Sequence, residues 1–175
     1  MTQFRLTGMT VAALGTGVLL PAGAAAQTMD LTVAIPRLSV AEYHNPYVAI
    51  WLQQDGAPAR TLAVWYDLDN REGGTKWLNE VRQWWRASGR SLRLPASGVS
   101  GATRAPGSHR VSFTAGRGGM PALAPGQYTL VVEASREVGG REQLRLPFTW
   151  NGTAVANARA QGRSELGLVT LSVKR

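Results

Sequence analysis

Apolar and polar residues alternate from Met29 onward: Met29, Leu31, Val33 and Ile35 fall on one face, Asp30, Thr32 and Ala34 on the other, and Pro36 ends the run. A period of two is the mark of a strand with one buried face. Tyr47 to Gln53 (YVAIWLQ) is a continuous apolar run and reads as a strand covered on both faces. After Asp55-Gly56, Arg60 to Tyr66 (RTLAVWY) has the same character, so the two segments predict a β-hairpin. Strands are also expected over His109–Thr114, Tyr128–Ser135, Glu142–Trp150 and Leu166–Val173, about seven in all. Within Tyr128–Ser135, the residues Tyr128, Leu130, Val132 and Ala134 share one face.

One segment has a different period. Trp77, Leu78, Val81, Trp84 and Trp85 fall at i, i+1, i+4, i+7 and i+8. This spacing predicts an amphipathic helix of about three turns between Thr75 and Ser88. Thr75 would cap it, Gly89 would stop it, and Arg82, Arg86 and Arg90 would favour its negative end. Its apolar stripe would pack on a sheet. Together these elements predict a mainly β fold: an immunoglobulin-like β-sandwich of about seven strands with one amphipathic helix inserted.

Composition narrows the chemistry. The chain has no cysteine, which removes disulfides, thiolate metal sites and c-type haem attachment. Its formal charge is +8, and its arginines are scattered rather than run together. Nucleic-acid binding would want a basic patch on a recognisable fold, so a solvated surface with weak attraction to anionic envelope material is favoured. The two histidines, His44 and His109, form no ligand-spaced pair. Asp67, Asp69 and Glu72 resemble a calcium loop, but Arg71 and a displaced glycine favour a polar turn before the helix. Asn151-Gly152-Thr153 likewise reads as a turn. No G-x-S-x-G elbow points to a hydrolase, and no glycine loop opens a helix to hold a nucleotide.

The N-terminus reads as an export address: Arg5, a short apolar stretch from Leu6 to Leu20, Pro21, and Ala24-Ala25-Ala26 as a cleavage site. The stretch is too short and Gly-rich to span a bilayer, which needs about 20 apolar residues. The expectation is a signal peptide over residues 1–26 and a single β-sandwich domain over 27–175, periplasmic or secreted, with no membrane span in the mature chain.

The segments NPYVAIWLQQDGAPARTLAVWYD, KWLNEVRQWWR, VSGATRAPG and LAPGQYTLVVEASRE are together similar to an uncharacterised family of predicted periplasmic proteins, domain-of-unknown-function family 2271. The similarity runs from Leu31 to Val173. Ala124-Pro125-Gly126-Gln127-Tyr128 also resembles the turn that opens a strand in the immunoglobulin-like domain of flagellar hook-capping proteins. The first resemblance implies an envelope location in the company of flavin transferases and PepSY-type membrane reductases.

Ser100-Gly101-Ala102-Thr103 resembles the motif at which flavin transferases attach FMN to a hydroxyl through a phosphoester. That resemblance makes Thr103 the acceptor and Ser100, Gly101 and Ala102 its recognition residues. Small neighbours would let an FAD pyrophosphate approach, and Arg104, His109 or Arg110 would offset the phosphoester charge. Trp84 and Trp85 are the nearest aromatic candidates in sequence for the flavin ring, with Trp65 and Trp77 behind them. Ser97 stands where the motif has an aspartate. Pro95, Gly98 and Pro106 predict a loop for the whole segment. Two functions follow. One is an exported electron-transfer protein carrying covalent FMN on Thr103, a redox carrier rather than an independent enzyme. The other is a cofactor-free immunoglobulin-like module of the envelope, in which Ser100–Thr103 is an ordinary polar loop.

Overall fold

The computed structural model describes residues 26–175, in which nine strands form two sheets. The expected signal peptide lies outside the described residues, apart from Ala26. The strands are β1 (Thr28–Ile35), β2 (Tyr47–Gln53), β3 (Arg60–Tyr66), β4 (Ser100–Ala102), β5 (Gly107–Thr114), β6 (Gly126–Ser135), β7 (Arg141–Trp150), β8 (Ala156–Gln161) and β9 (Leu168–Lys174). Their order is β5-β1-β9-β8 in one sheet and β4-β3-β2-β6-β7 in the other. Neighbours are antiparallel except β3 and β4, which run parallel.

The core lies between the sheets. Met29, Leu31, Val33 and Ile35 of β1 meet Ile50, Leu130, Val132 and Leu146 of the five-stranded sheet. The alternation read in β1 thus corresponds to one buried face. The unbroken apolar runs of β2 and β3 also have their cause. Val48, Ile50 and Trp65 face the inter-sheet core, whereas Tyr47, Ala49, Trp51, Val64 and Tyr66 lie on the other face, under a helical cover. The cover contributes Leu78, Val81 and Trp84.

Three expectations are corrected. The described residues form nine strands rather than about seven, because β4 and β8 had no recognisable signal. The expected loop at Ser100–Ala102 is β4, paired with Val64–Tyr66 of β3. The single helix over Thr75–Ser88 is instead a 3-10 turn (Leu78–Glu80), one short helix, α1 (Arg82–Ala87), and a second 3-10 turn (Gly89–Ser91). Val81, with φ −79° and ψ 69°, breaks the helical path, so Thr75 caps nothing. Arg82 opens α1 rather than closing it.

Glu133 of β6 takes over as the cap. Its fully buried carboxylate accepts hydrogen bonds from the Gln83 and Trp84 backbone N–H groups at 3.0 and 2.9 Å. Gly89 does not stop the helix by its conformation. It leaves space for the Trp84 ring, which a Cβ at that position would approach to 3.0 Å.

Candidate functional site

Ser100, Gly101 and Ala102 are held by β3, whose Val64, Trp65 and Tyr66 they oppose. A tight turn precedes them: the Val99 and Ser100 N–H groups donate to the Ala96 carbonyl, and Ala96 N–H donates to Ser100 Oγ at 3.0 Å. Gly101 lies against Trp65, where a Cβ would come within 3.2 Å of the indole Cδ1. Thr103 follows the strand, half-buried, and its N–H donates to the Tyr66 carbonyl at 3.1 Å. Ser97 is exposed on the preceding turn.

Thr103 lines a cleft of about 460 Å³ together with Tyr47, Asp67, Lys76, Trp77 and Glu137. One wall is built from the polar turn after β3. The Tyr47 hydroxyl donates to the Gly74 carbonyl at 2.8 Å, and Gly73 and Gly74 N–H groups bond to Asn70. No side chain fits at Gly74, because a Cβ would overlap the Asp67 carbonyl. Burial pushes the Tyr47 phenol above its usual range, so it remains a hydrogen-bond donor at neutral pH. Half-buried Trp77 supplies an aromatic surface, and the Lys76 ammonium lies 4.8 Å from the centre of its ring.

A phosphoester-linked aromatic group would need a hydroxyl, a cation and an aromatic surface, and half-buried Thr103, Lys76 and Trp77 all line this cleft. Asp67 and Glu137 add negative charge to the same walls, and Lys76 is the cation, among lysines and arginines, that lines them. Among the described residues, no group of three or more His, Asp or Glu is placed to hold a metal. No helix among them is long and apolar enough to cross a membrane.

Residues 28–168 match the family described as predicted periplasmic proteins, domain-of-unknown-function family 2271. The chain belongs to this family. Neither the curated proteins nor the solved structures gave a match.

In this family member the other sequence candidates are dispersed. Trp84 is fully buried beneath the sheet, and its indole N–H donates to Thr61 Oγ1 at 2.9 Å. Trp85 packs beside it, with ring centres 6.2 Å apart, and neither lines the Thr103 cleft. Arg104 turns to the other side, its guanidinium 5.3 Å from the Trp65 ring centre. His109 Nε2 donates to the Ala105 carbonyl at 2.7 Å, fixing the segment after Thr103. Arg110 lies on the outer face of the four-stranded sheet, paired across to Thr32. The lysine and the tryptophan that line the cleft with Thr103 are Lys76 and Trp77. Trp77 stood second to Trp84 and Trp85 in sequence, and Lys76 carried no signal, since both reach the cleft through the polar turn.

Proposed function

We propose that this member of the periplasmic family is an exported electron carrier that takes FMN on Thr103. The observation that carries the reading is the position of Thr103, half-buried on a cleft that also holds Lys76 and Trp77. A flavin transferase would join the Thr103 oxygen to the FMN phosphate of FAD, with AMP leaving and the hydroxyl proton lost. Bound FMN supplies reversible electron transfer, which suits reduction by a PepSY-type membrane partner. The chain's own residues bind and orient: Thr103 tethers, Lys76 offsets the phosphate charge, and Trp77 offers a face to the ring.

Co-expression with a flavin transferase, followed by intact mass, tests this. The wild-type chain should gain one FMN less one water and turn yellow, and Thr103→Ala should gain nothing. An unmodified wild-type chain beside an active transferase, or an equal adduct on Thr103→Ala, rejects the reading. Ser97→Asp should raise the modified fraction, since the exposed turn accommodates an acid at the motif's vacant acidic position.

A specific observation favours a second reading, a cofactor-free immunoglobulin-like module. Ser100 and Gly101 each have a structural duty, at the Ala96 turn and against Trp65, that accounts for them without a transferase. The same mass measurement decides between the two.

A further inference from the structure

The outer face of the four-stranded sheet is a trough built by register. Thr32 of β1 pairs with Arg110 of β5 and Thr170 of β9, and Thr170 pairs with Arg159 of β8. One rank therefore reads Arg110, Thr32, Thr170, Arg159 across the sheet. The rank two residues along reads Ser112, Asp30, Ser172, Asn157. The two central strands carry the short side chains Thr32, Asp30, Thr170 and Ser172, and the two arginines stand on the edge strands. The space enclosed is about 960 Å³. The edge strands are three strand spacings apart, about 14 Å.

The lining of the trough carries an excess of positive charge, two arginines against one aspartate. Asp30 is the acid in its lining, and both its oxygens are engaged, by Lys174 Nζ at 2.7 Å and Ser112 Oγ at 2.7 Å. Arg110 and Arg159 are exposed, and neither joins an ion pair among the described residues. Among the described residues, no aromatic ring lines the trough. Neutral sugars and single-stranded nucleic acids are commonly held by stacking on such rings, and protein partners bury apolar and aromatic anchors. This face offers instead two unpaired guanidinium forks over a floor of hydroxyls. Guanidinium matches carboxylate in planar, bidentate fashion, and hydroxyls match the hydroxyls of a sugar ring.

We propose that this trough binds an extended acidic glycan, with uronate carboxylates taken by Arg110 and Arg159 and ring hydroxyls by Thr32, Thr170 and Ser172. Titration calorimetry with a short oligogalacturonate tests it, with the methyl-esterified oligomer as a control that removes the charge and keeps the sugars. Inorganic polyphosphate serves as an anion without sugars. The acid form should bind and the ester should not. Arg110→Ala and Arg159→Ala should each weaken binding by about tenfold, while Arg90→Ala, on the cover of the other sheet, should leave it unchanged. Thr170→Val keeps shape and charge and should still weaken binding. The proposal falls if the acid oligomer does not bind, or if the ester binds as well. It also falls if Arg90→Ala costs as much as Arg110→Ala, or if polyphosphate binds as tightly as the glycan.

Discussion

Glu142 stands at the start of β7 and holds a turn that belongs to two other strands. Its carboxylate accepts hydrogen bonds from the Arg163, Ser164 and Leu166 N–H groups at 2.6, 3.0 and 2.8 Å, fixing the β8–β9 connection. Burial opposes ionisation, but these N–H donors outweigh it and hold Glu142 below its usual range. A carboxyl group whose folded pKa is depressed contributes stability above its unfolded pKa and loses it as pH falls through the folded value. Glu142→Gln should therefore melt below wild type at neutral pH, and the gap should narrow as the solution is acidified through the carboxylate range. Thermal melts across that range check this, and a pH-independent gap would contradict it. Gly101 shows the reverse relation between a residue and its reading. As a letter in a motif it points to a transferase, but in the fold it is also the position where Trp65 leaves no comfortable room for a Cβ.

Single elements lean on remote partners to a similar degree. The six residues of α1 are too few to hold a helix alone, and its first turn is secured from the sheet by Glu133. Glu133→Ala should cost about 1–3 kcal/mol, because the buried Trp84 N–H and the part-buried Gln83 N–H lose their acceptor. Urea unfolding gives the value, and a change near zero would show that the cap is dispensable. The tryptophan spacing suggested one continuous helix because Leu78 of the first 3-10 turn, Val81 at the break and Trp84 of α1 are buried in the same cluster on one sheet face. The larger strands were legible from their apolar residues, since each turns apolar side chains toward the core, partly buried in β5 and fully in the others. Strand β8 (ANARAQ) was not legible, because alanines are all that it turns toward the core. Strand β4 was not legible either: its three residues become a strand by pairing with β3. The motif resemblance singles out Thr103 as a residue and Trp77 as a secondary ring candidate, but Lys76 as a neighbour on the same cleft was not legible, because it arrives from a turn 27 positions earlier in the chain.

At the scale of the molecule, the Thr103 cleft belongs to the five-stranded sheet and the arginine trough to the outer face of the four-stranded one. Sites that share no residues and sit on separate sheets should respond independently. Arg110→Ala with Arg159→Ala should leave the extent of FMN attachment unchanged, and Thr103→Ala should leave glycan affinity unchanged. Intact mass and calorimetry on the same variants measure both, and any cross-effect would show coupling through the core. The order of pairing carries a further consequence. Strand β1 is flanked by β5 and β9, with Thr28 opposite both Thr114 and Lys174. A chain emerging N-terminus first presents β1 early, with both hydrogen-bonding edges open, and must wait for the last strand to fill one of them. Pairings so distant in sequence close slowly. For a chain threaded unfolded through a narrow channel, as export to the periplasm would require, that delay would keep the four-stranded sheet from closing until the tail is through.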